Sequence, residues 1–208
     1  MSRANSSSKK GSIIGPFFFL ILSGCVSYQS DVSDPYRKMT ARQPQAAAEM
    51  LKEKAFKEGA DQLVYLLEYA TALHEAKDYK GSTSAFLKAY DMVQIKDFHS
   101  ISKITASLLL NEGMIQYKGE DFEKVMVNVY LALNFLMMGD LESAAVETRR
   151  INEILYKFKI EAKKPYDQSP LARYLSAIIW EADRNWDSMY IDYKNTYDLA
   201  PSFLPLVD

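Results

Sequence analysis

From Gln45 onward, apolar residues recur at steps of three and four, the spacing that lines one face of an α-helix. The stretch from Leu141 to Phe158 is the clearest case. Leu141, Ala144, Ala145, Thr148, Ile151, Ile154, Leu155 and Phe158 share one side, while Glu142, Glu147, Arg150, Glu153 and Lys157 share the other. No run alternates convincingly at period two, as a half-buried strand would. The pattern predicts eight helices, at about 45–57, 61–76, 79–93, 98–114, 121–138, 141–160, 170–183 and 186–199. Two boundaries carry their own punctuation. Asp140 follows Gly139 and can cap the next helix. Ser169 precedes Pro170, which puts a capping oxygen before a first-turn proline.

Three of the helix pairs align with one another. Tyr79, Leu141 and Trp186 each open a second helix. Three residues later come Ser82, Ala144 and Met189; seven later, Phe86, Thr148 and Tyr193; ten later, Ala89, Ile151 and Thr196. Nine residues before each opening stand Ala70, Ala132 and Ala177, and six before stand Leu73, Phe135 and Trp180. Small residues let paired helices approach, and larger ones fill the space beyond. "EAKDYKGSTSAFLKAY", "FLMMGDLESAAVETRRI" and "WDSMYIDYKNTYDLAP" resemble the tetratricopeptide repeat, which implies an all-α, helix-pair solenoid. Met189, Thr148 and Thr196 depart from its usual residue types. The openings lie 62 and 45 residues apart, against about 34 in tandem repeats, so Ile95 to Asp121 reads as an insertion or an eroded repeat.

Tyr117 to Leu155, "YKGEDFEKVMVNVYLALNFLMMGDLESAAVETRRINEIL", is similar to an uncharacterised family of bacterial lipoproteins with tetratricopeptide-like helices. Its members share a Tyr-x-Gly-Glu-x-x-Glu start, here Tyr117, Gly119, Glu120 and Glu123, and a Val-Glu-x-x-Arg helix, here Val146, Glu147 and Arg150. Members tend to be longer, and the resemblance implies no activity. "PSFLPLVD" at the end supplies no polar capping helix, although solenoids need a covered last face. Either a partner or a second copy is expected to cover that end, or the chain is a shortened relative.

The N-terminus follows a different rule. Arg3, Lys9 and Lys10 make the first ten residues basic, and Ile13 to Leu22 is apolar apart from Gly15 and Pro16. Ten residues are too few to span a bilayer, which takes about 20. A basic start, a short apolar middle and a small-residue end describe a secretory signal peptide. The end, Leu22-Ser23-Gly24-Cys25, resembles a bacterial lipobox. That resemblance implies cleavage between Gly24 and Cys25 and fatty acylation (diacylglyceryl and palmitate-type chains) of Cys25 and the new N-terminus. Each buried methylene contributes about 0.8 kcal/mol, so two or three chains anchor where one does not. The alternative is a plain signal peptide or an anchor with an incidental cysteine. By analogy with enterobacterial lipoproteins, in which an Asp after the cysteine favours inner-membrane retention, Val26 implies the outer membrane, facing the periplasm. The expected organisation is a signal peptide at 1–24, a lipidated cysteine and tether at 25–44, and a helical domain at 45–208. Ser27, Ser30, Asp31, Ser33, Asp34 and Pro35 make Val26 to Pro44 read as flexible coil, about 22–26 Å in r.m.s. span.

Charge and composition exclude several classes. Without residues 1–24, 22 basic residues face 27 acidic ones, a net −5 with both signs interspersed. Such a chain has no general pull toward nucleic acid. Cys25 is the single cysteine, so no internal disulfide or cysteine metal cluster is possible. His74 and His99 are the two histidines, neither in zinc-ligand spacing, and no cofactor or metal site is implied. The serines lack a nucleophile elbow, and the isolated glycines build no phosphate loop.

Glu120, Glu123, Glu147, Arg149 and Arg150 are the densest charged set in the matching segment. Glu147 and Arg150 stand three apart, within reach of an ion pair. Such a set is expected to fix helix register; the competing reading makes Glu123 and Glu147 a general acid and base, as in glycoside cleavage. Several of the fourteen tyrosines fall on helices and suit a binding face. The sequence therefore leads to a lipid-anchored, non-enzymatic scaffold that binds a protein or peptide partner in cell-envelope assembly. A peptidoglycan binder or modifier using the Glu123 and Glu147 region is the alternative, and self-association through the C-terminal end is a third possibility.

Overall fold

Four turns of one geometry organise the chain. A computed structural model describes residues 28–101, 119–160 and 168–202. Among the described residues every regular element is helical: α1 (Tyr28–Thr40), α2 (Pro44–Phe56), α3 (Gln62–Glu75), α4 (Tyr79–Ile101), α5 (Asp121–Met137), α6 (Leu141–Ile160), α7 (Pro170–Ala182) and α8 (Trp186–Leu199). The protein is all-α, as the spacing predicts.

Arg42, Lys77, Gly139 and Arg184 have φ of 57°, 64°, 77° and 60°, and each lies between the two helices of a pair. At every one, the next N–H reaches back five residues to close the first helix. Gln43 N–H donates to Lys38 C=O at 2.8 Å, Asp78 to Leu73 at 2.9 Å, Asp140 to Phe135 at 2.9 Å and Asn185 to Trp180 at 2.8 Å. This is the Schellman closure, which needs one left-handed residue. The residue after it caps the following helix. Asp78 Oδ1 accepts from Gly81 N–H at 2.9 Å, Asp140 Oδ1 from Ser143 at 3.0 Å, and Asn185 Oδ1 from Ser188 at 3.2 Å. The Ser143 bonds hold the Asp140 carboxyl below its ordinary pKa. In the first pair Pro44 at the helix start replaces the side-chain cap. Ser169 Oγ caps α7 through Ala172 N–H at 3.2 Å.

Turns this short make the two helices of each pair antiparallel neighbours. The small residues sit where the helices cross: Ala70, Ala132 and Ala177 are fully buried, as are Ala47, Ser82 and Ala144. Each helix packs on the next one described, and α3, α5 and α7 also touch in sequence. Phe86 stacks on Tyr130 at 5.0 Å between the second and third pairs, and Ile151, Leu155 and Ile179 fill the space between the third and fourth.

Two expectations are corrected. The tether expected at 25–44 is helical from Tyr28 to Thr40 and forms a pair with α2. Val32, Pro35 and Met39 are three and four apart; Pro35 is buried, and Val32 and Met39 pack on Ala47, Ala48, Leu51, Ala72 and Leu73. Pro35 occupies the crossing position, nine residues before Pro44, that alanine holds in the other pairs. Second, the break expected after 93 is absent: α4 continues through Ile101, because no glycine or proline interrupts Gln94 to Asp97. The rest of the helix expected at 98–114 lies outside the described residues.

Candidate functional site

Gly24, Cys25 and Tyr117 lie outside the described residues. The remaining residues of the expected set divide into two groups with different local work.

Gly119, Glu120 and Glu123 shape the start of α5. Gly119 has φ of +80°, and a Cβ there would lie 3.5 Å from Leu63 Cδ2 and 3.7 Å from Glu123 Oε2. Glycine adopts that backbone without penalty and leaves room for both neighbours. Glu123 Oε2 accepts the Glu120 backbone N–H at 2.8 Å, the reciprocal half of a capping box. The Gly-Glu-x-x-Glu signal is therefore a helix start, with a carboxylate in the first turn where the helix dipole favours it.

Glu147, Arg149 and Arg150 lie on α6 and face two different neighbours. Glu147 is 2 % exposed. Arg150 Nη1 donates to Glu147 Oε1 at 2.6 Å, while Glu147 Oε2 is buried without a hydrogen bond. Burial raises the Glu147 pKa, and Arg150 only partly offsets it. The Arg150 guanidinium sits 5.1 Å from the centre of the Tyr90 ring on α4, and Arg149 sits 5.8 Å from the Trp180 ring on α7. Adjacent arginines thus grip the preceding and following pairs, each through a cation–π contact.

Three further polar clusters lie at the seams between pairs. Between the first two pairs, Asp31 takes the Tyr65 hydroxyl at 2.9 Å and the Lys54 ammonium at 2.6 Å. Lys54 and then Tyr65 lower the Asp31 pKa, while burial and the Asp31 bond push Tyr65 up to about 12. Between the second and third, Ser82 Oγ donates to Ala70 C=O at 2.9 Å and accepts from Asn134 Nδ2 at 2.8 Å. The Ser82 proton is committed, so Asn134 must turn its carbonyl to His74 Nδ1, 2.7 Å away. His74 therefore carries its proton on Nδ1. Its ring meets Tyr130 edge-on at 5.1 Å.

The third seam is the most heavily charged. Asp192 on α8 is 2 % exposed. It accepts from Arg173 Nη1 at 2.9 Å, Asn152 Nδ2 at 2.8 Å and Trp180 Nε1 at 3.1 Å. Asn152 Oδ1 accepts from the same Arg173 nitrogen, so one cluster ties α6, α7 and α8. The available sequence signal was Asp192 and Thr196 standing on the inward face of α8 where apolar residues belong.

A cavity of about 170 Å³ opens between α4, α5 and α6. Buried Val93, Val127 and Asn128 and half-buried Tyr90, Ile154 and Phe158 line it. Lys124 and Lys157 complete the lining. Among the described residues, no group of His, Cys, Asp or Glu is placed to hold a metal ion, and no helix is long and apolar enough to cross a membrane. Compared with known proteins, the chain matches no family model, no curated protein and no solved structure.

Proposed function

We propose that this chain is a tetratricopeptide-like scaffold, held to the outer membrane through acylated Cys25, that grips a protein or peptide partner of the periplasm during envelope assembly. The observation that carries the reading is the repetition of one device. All four pairs share the left-handed turn, the five-residue closure and a buried small or cyclic residue at the helix crossing. Pro44 and Tyr79, which open the second helices of the first two pairs, are 35 residues apart, close to the period of about 34 for this repeat. A stack of such pairs contacts only its neighbours and presents long side surfaces, which suits binding better than chemistry.

The charged set supports the same reading. Glu123 holds the Glu120 N–H and Glu147 holds Arg150, so each carboxylate has structural work of its own. Trp186, Tyr190 and Tyr197 lie on one side of α8 at 58, 65 and 56 % exposure, rigid half-polar anchors of the kind that dominate interfaces. Photo-crosslinking residues placed at Trp186 and Tyr190 in cells test the reading. One discrete protein adduct at both positions, absent from a control at exposed Lys57, is the expected result. No adduct, together with co-sedimentation of the chain with purified peptidoglycan, would favour the wall-binding alternative.

A further inference from the structure

The second helices of the four pairs share one register, counted from Pro44, Tyr79, Leu141 and Trp186. Four residues on stand Ala48, Thr83 and Ala145, and seven on stand Leu51, Phe86 and Thr148, all buried. Eleven on stand Ala55, buried, and Tyr90 and Asn152, half-buried. The first helix of the following pair meets this stripe. Ala48 and Leu51 pack with Ala72 and Leu73 of α3, Phe86 stacks on Tyr130 of α5, and Asn152 accepts a hydrogen bond from Arg173 of α7. In α8 the opening position and the same three steps hold Trp186, Tyr190, Tyr193 and Tyr197. Trp186, Tyr190 and Tyr197 are exposed and Tyr193 is half-buried. Among the described residues no helix follows α8 to cover them.

We propose that this aromatic stripe pairs with the same stripe of a second copy of the chain, in a two-fold dimer. The dimer rests on the scaffold reading, in that it names the protein gripped at this side of α8. The steps of four, three and four read the same in both directions. Two stripes laid antiparallel about a two-fold axis therefore bring Trp186 of one copy to Tyr197 of the other, and Tyr190 to Tyr193. Aromatic pairs of this kind gain more than their area alone. The opposite end of the stack does not fit the stripe. Tyr69 and Ala72 of α3, ten and seven residues before the next opening, pack on the preceding pair, as do Leu131 and Asn134 of α5. On α1 those positions hold Asp34 and Arg37, both exposed and paired with each other. Head-to-tail stacking would desolvate that ion pair against rings, at a cost its own attraction does not repay. A two-fold contact buries ring on ring and closes at two copies. Ile191 and Leu199 are exposed beside the stripe, and the flanking Lys194 and Asp198 already pair at 2.6 Å. With about 100 Å² left on each exposed ring, a copy buries roughly 500 Å², or about 1,000 Å² in all, the lower edge of a specific interface. Association is therefore weak and reversible.

The test places benzoylphenylalanine at Tyr190 of the full chain in cells, and follows the purified full chain by sedimentation equilibrium in density-matched detergent. The expected result is an adduct of twice the chain's mass, mapped by mass spectrometry beside Tyr193 of the second copy, and a monomer–dimer equilibrium in the micromolar range. Tyr190→Glu, at an exposed position, should weaken association by about tenfold or more with helicity unchanged. Tyr190→Phe should stay within about twofold of the parent, and Val146→Glu, exposed on α6, should leave association unchanged. Crosslinks that map to Asp34 and Arg37, crosslinks confined to the same chain, or a dimer indifferent to Tyr190→Glu and Tyr197→Glu overturn the two-fold pairing. A discrete adduct with a different protein overturns the second copy alone and leaves the scaffold reading standing. No adduct, together with a monomer throughout the micromolar range, overturns both.

Discussion

Removing the Asp192 carboxylate should do more damage than any other single change to a charged residue described here. Asp192 and Thr196 are the two buried residues of α8, so the last helix is held by a polar anchor rather than an apolar stripe. In Asp192→Ala the Arg173 guanidinium, whose side chain is 12 % exposed, keeps its charge and loses its counterion. Its Nε already has no partner. Asn152 and Trp180 lose an acceptor as well. Breaking a buried ion pair from one side costs about 3–5 kcal/mol, a fifth or more of a typical domain stability of about 5–15 kcal/mol. Urea unfolding followed by circular dichroism should show that loss. Hydrogen exchange should place the early opening in α8, with α3 to α5 protected as before. The double variant Asp192→Ala, Arg173→Met removes both charges and should recover most of the loss, because the uncompensated ion is the main cost. A single variant within about 1 kcal/mol of the parent would show that Arg173 rehydrates freely and that the cluster does not hold the seam.

The remaining outcomes follow from separate features. Burial raises the Glu147 pKa above the ordinary glutamate value of 4.5. The folded chain therefore holds this proton more tightly than the unfolded chain, and the Glu147 contribution falls as pH climbs from 4.5 through the raised value. Glu147→Gln should remove that slope, so its stability relative to the parent rises toward neutral pH in unfolding measured across the window; a parallel pair of curves refutes the sign. Lys77, at φ of 64°, carries a left-handed penalty of about 1–2 kcal/mol that glycine avoids. Glycine's extra backbone entropy returns about 0.5–1 kcal/mol. Lys77→Gly should thus stabilise by up to about 1 kcal/mol, and Gly139→Ala should lose a similar amount although nothing lies within 4 Å of the added Cβ; thermal melting checks both. Cys25→Ser should release the chain from the membrane fraction and block cleavage by the lipoprotein route, as read by fractionation and mass spectrometry.

α6 and α8 were legible because each begins with punctuation, and α6 continues with a three-and-four apolar period. α6 runs from Leu141 to Ile160 and α8 from Trp186 to Leu199, the bounds that the spacing predicts. α1 was not legible for the same reason. Val32, Pro35 and Met39 give it a helical spacing, but serine and aspartate surround them and proline sits inside the helix. A composition rule reads that stretch as coil. The information that makes it a helix is tertiary: the Ala47–Leu51 surface of α2 and the Asp31 partners on α2 and α3.

The candidate site shows a related division between local and distant information. A pair three apart on one helix, such as Glu147 and Arg150, can be read from spacing alone. A cluster such as Asn152, Arg173, Trp180 and Asp192 spans forty residues and three helices, and no local rule assembles it. The structure nevertheless gives such clusters a common position. Asp31 with Tyr65, His74 with Asn134 and Ser82, and Asn152 with Arg173 and Asp192 each join one helix pair to the next. Within a pair, small residues set the distance between helices, and any apolar filler of the right volume serves. Between pairs, hydrogen-bond geometry admits one alignment, since a slip of one residue would bury these groups unpaired at a cost of about 1–3 kcal/mol each. The polar residues therefore specify how the pairs stack, and the shape of any surface that spans several pairs depends on them.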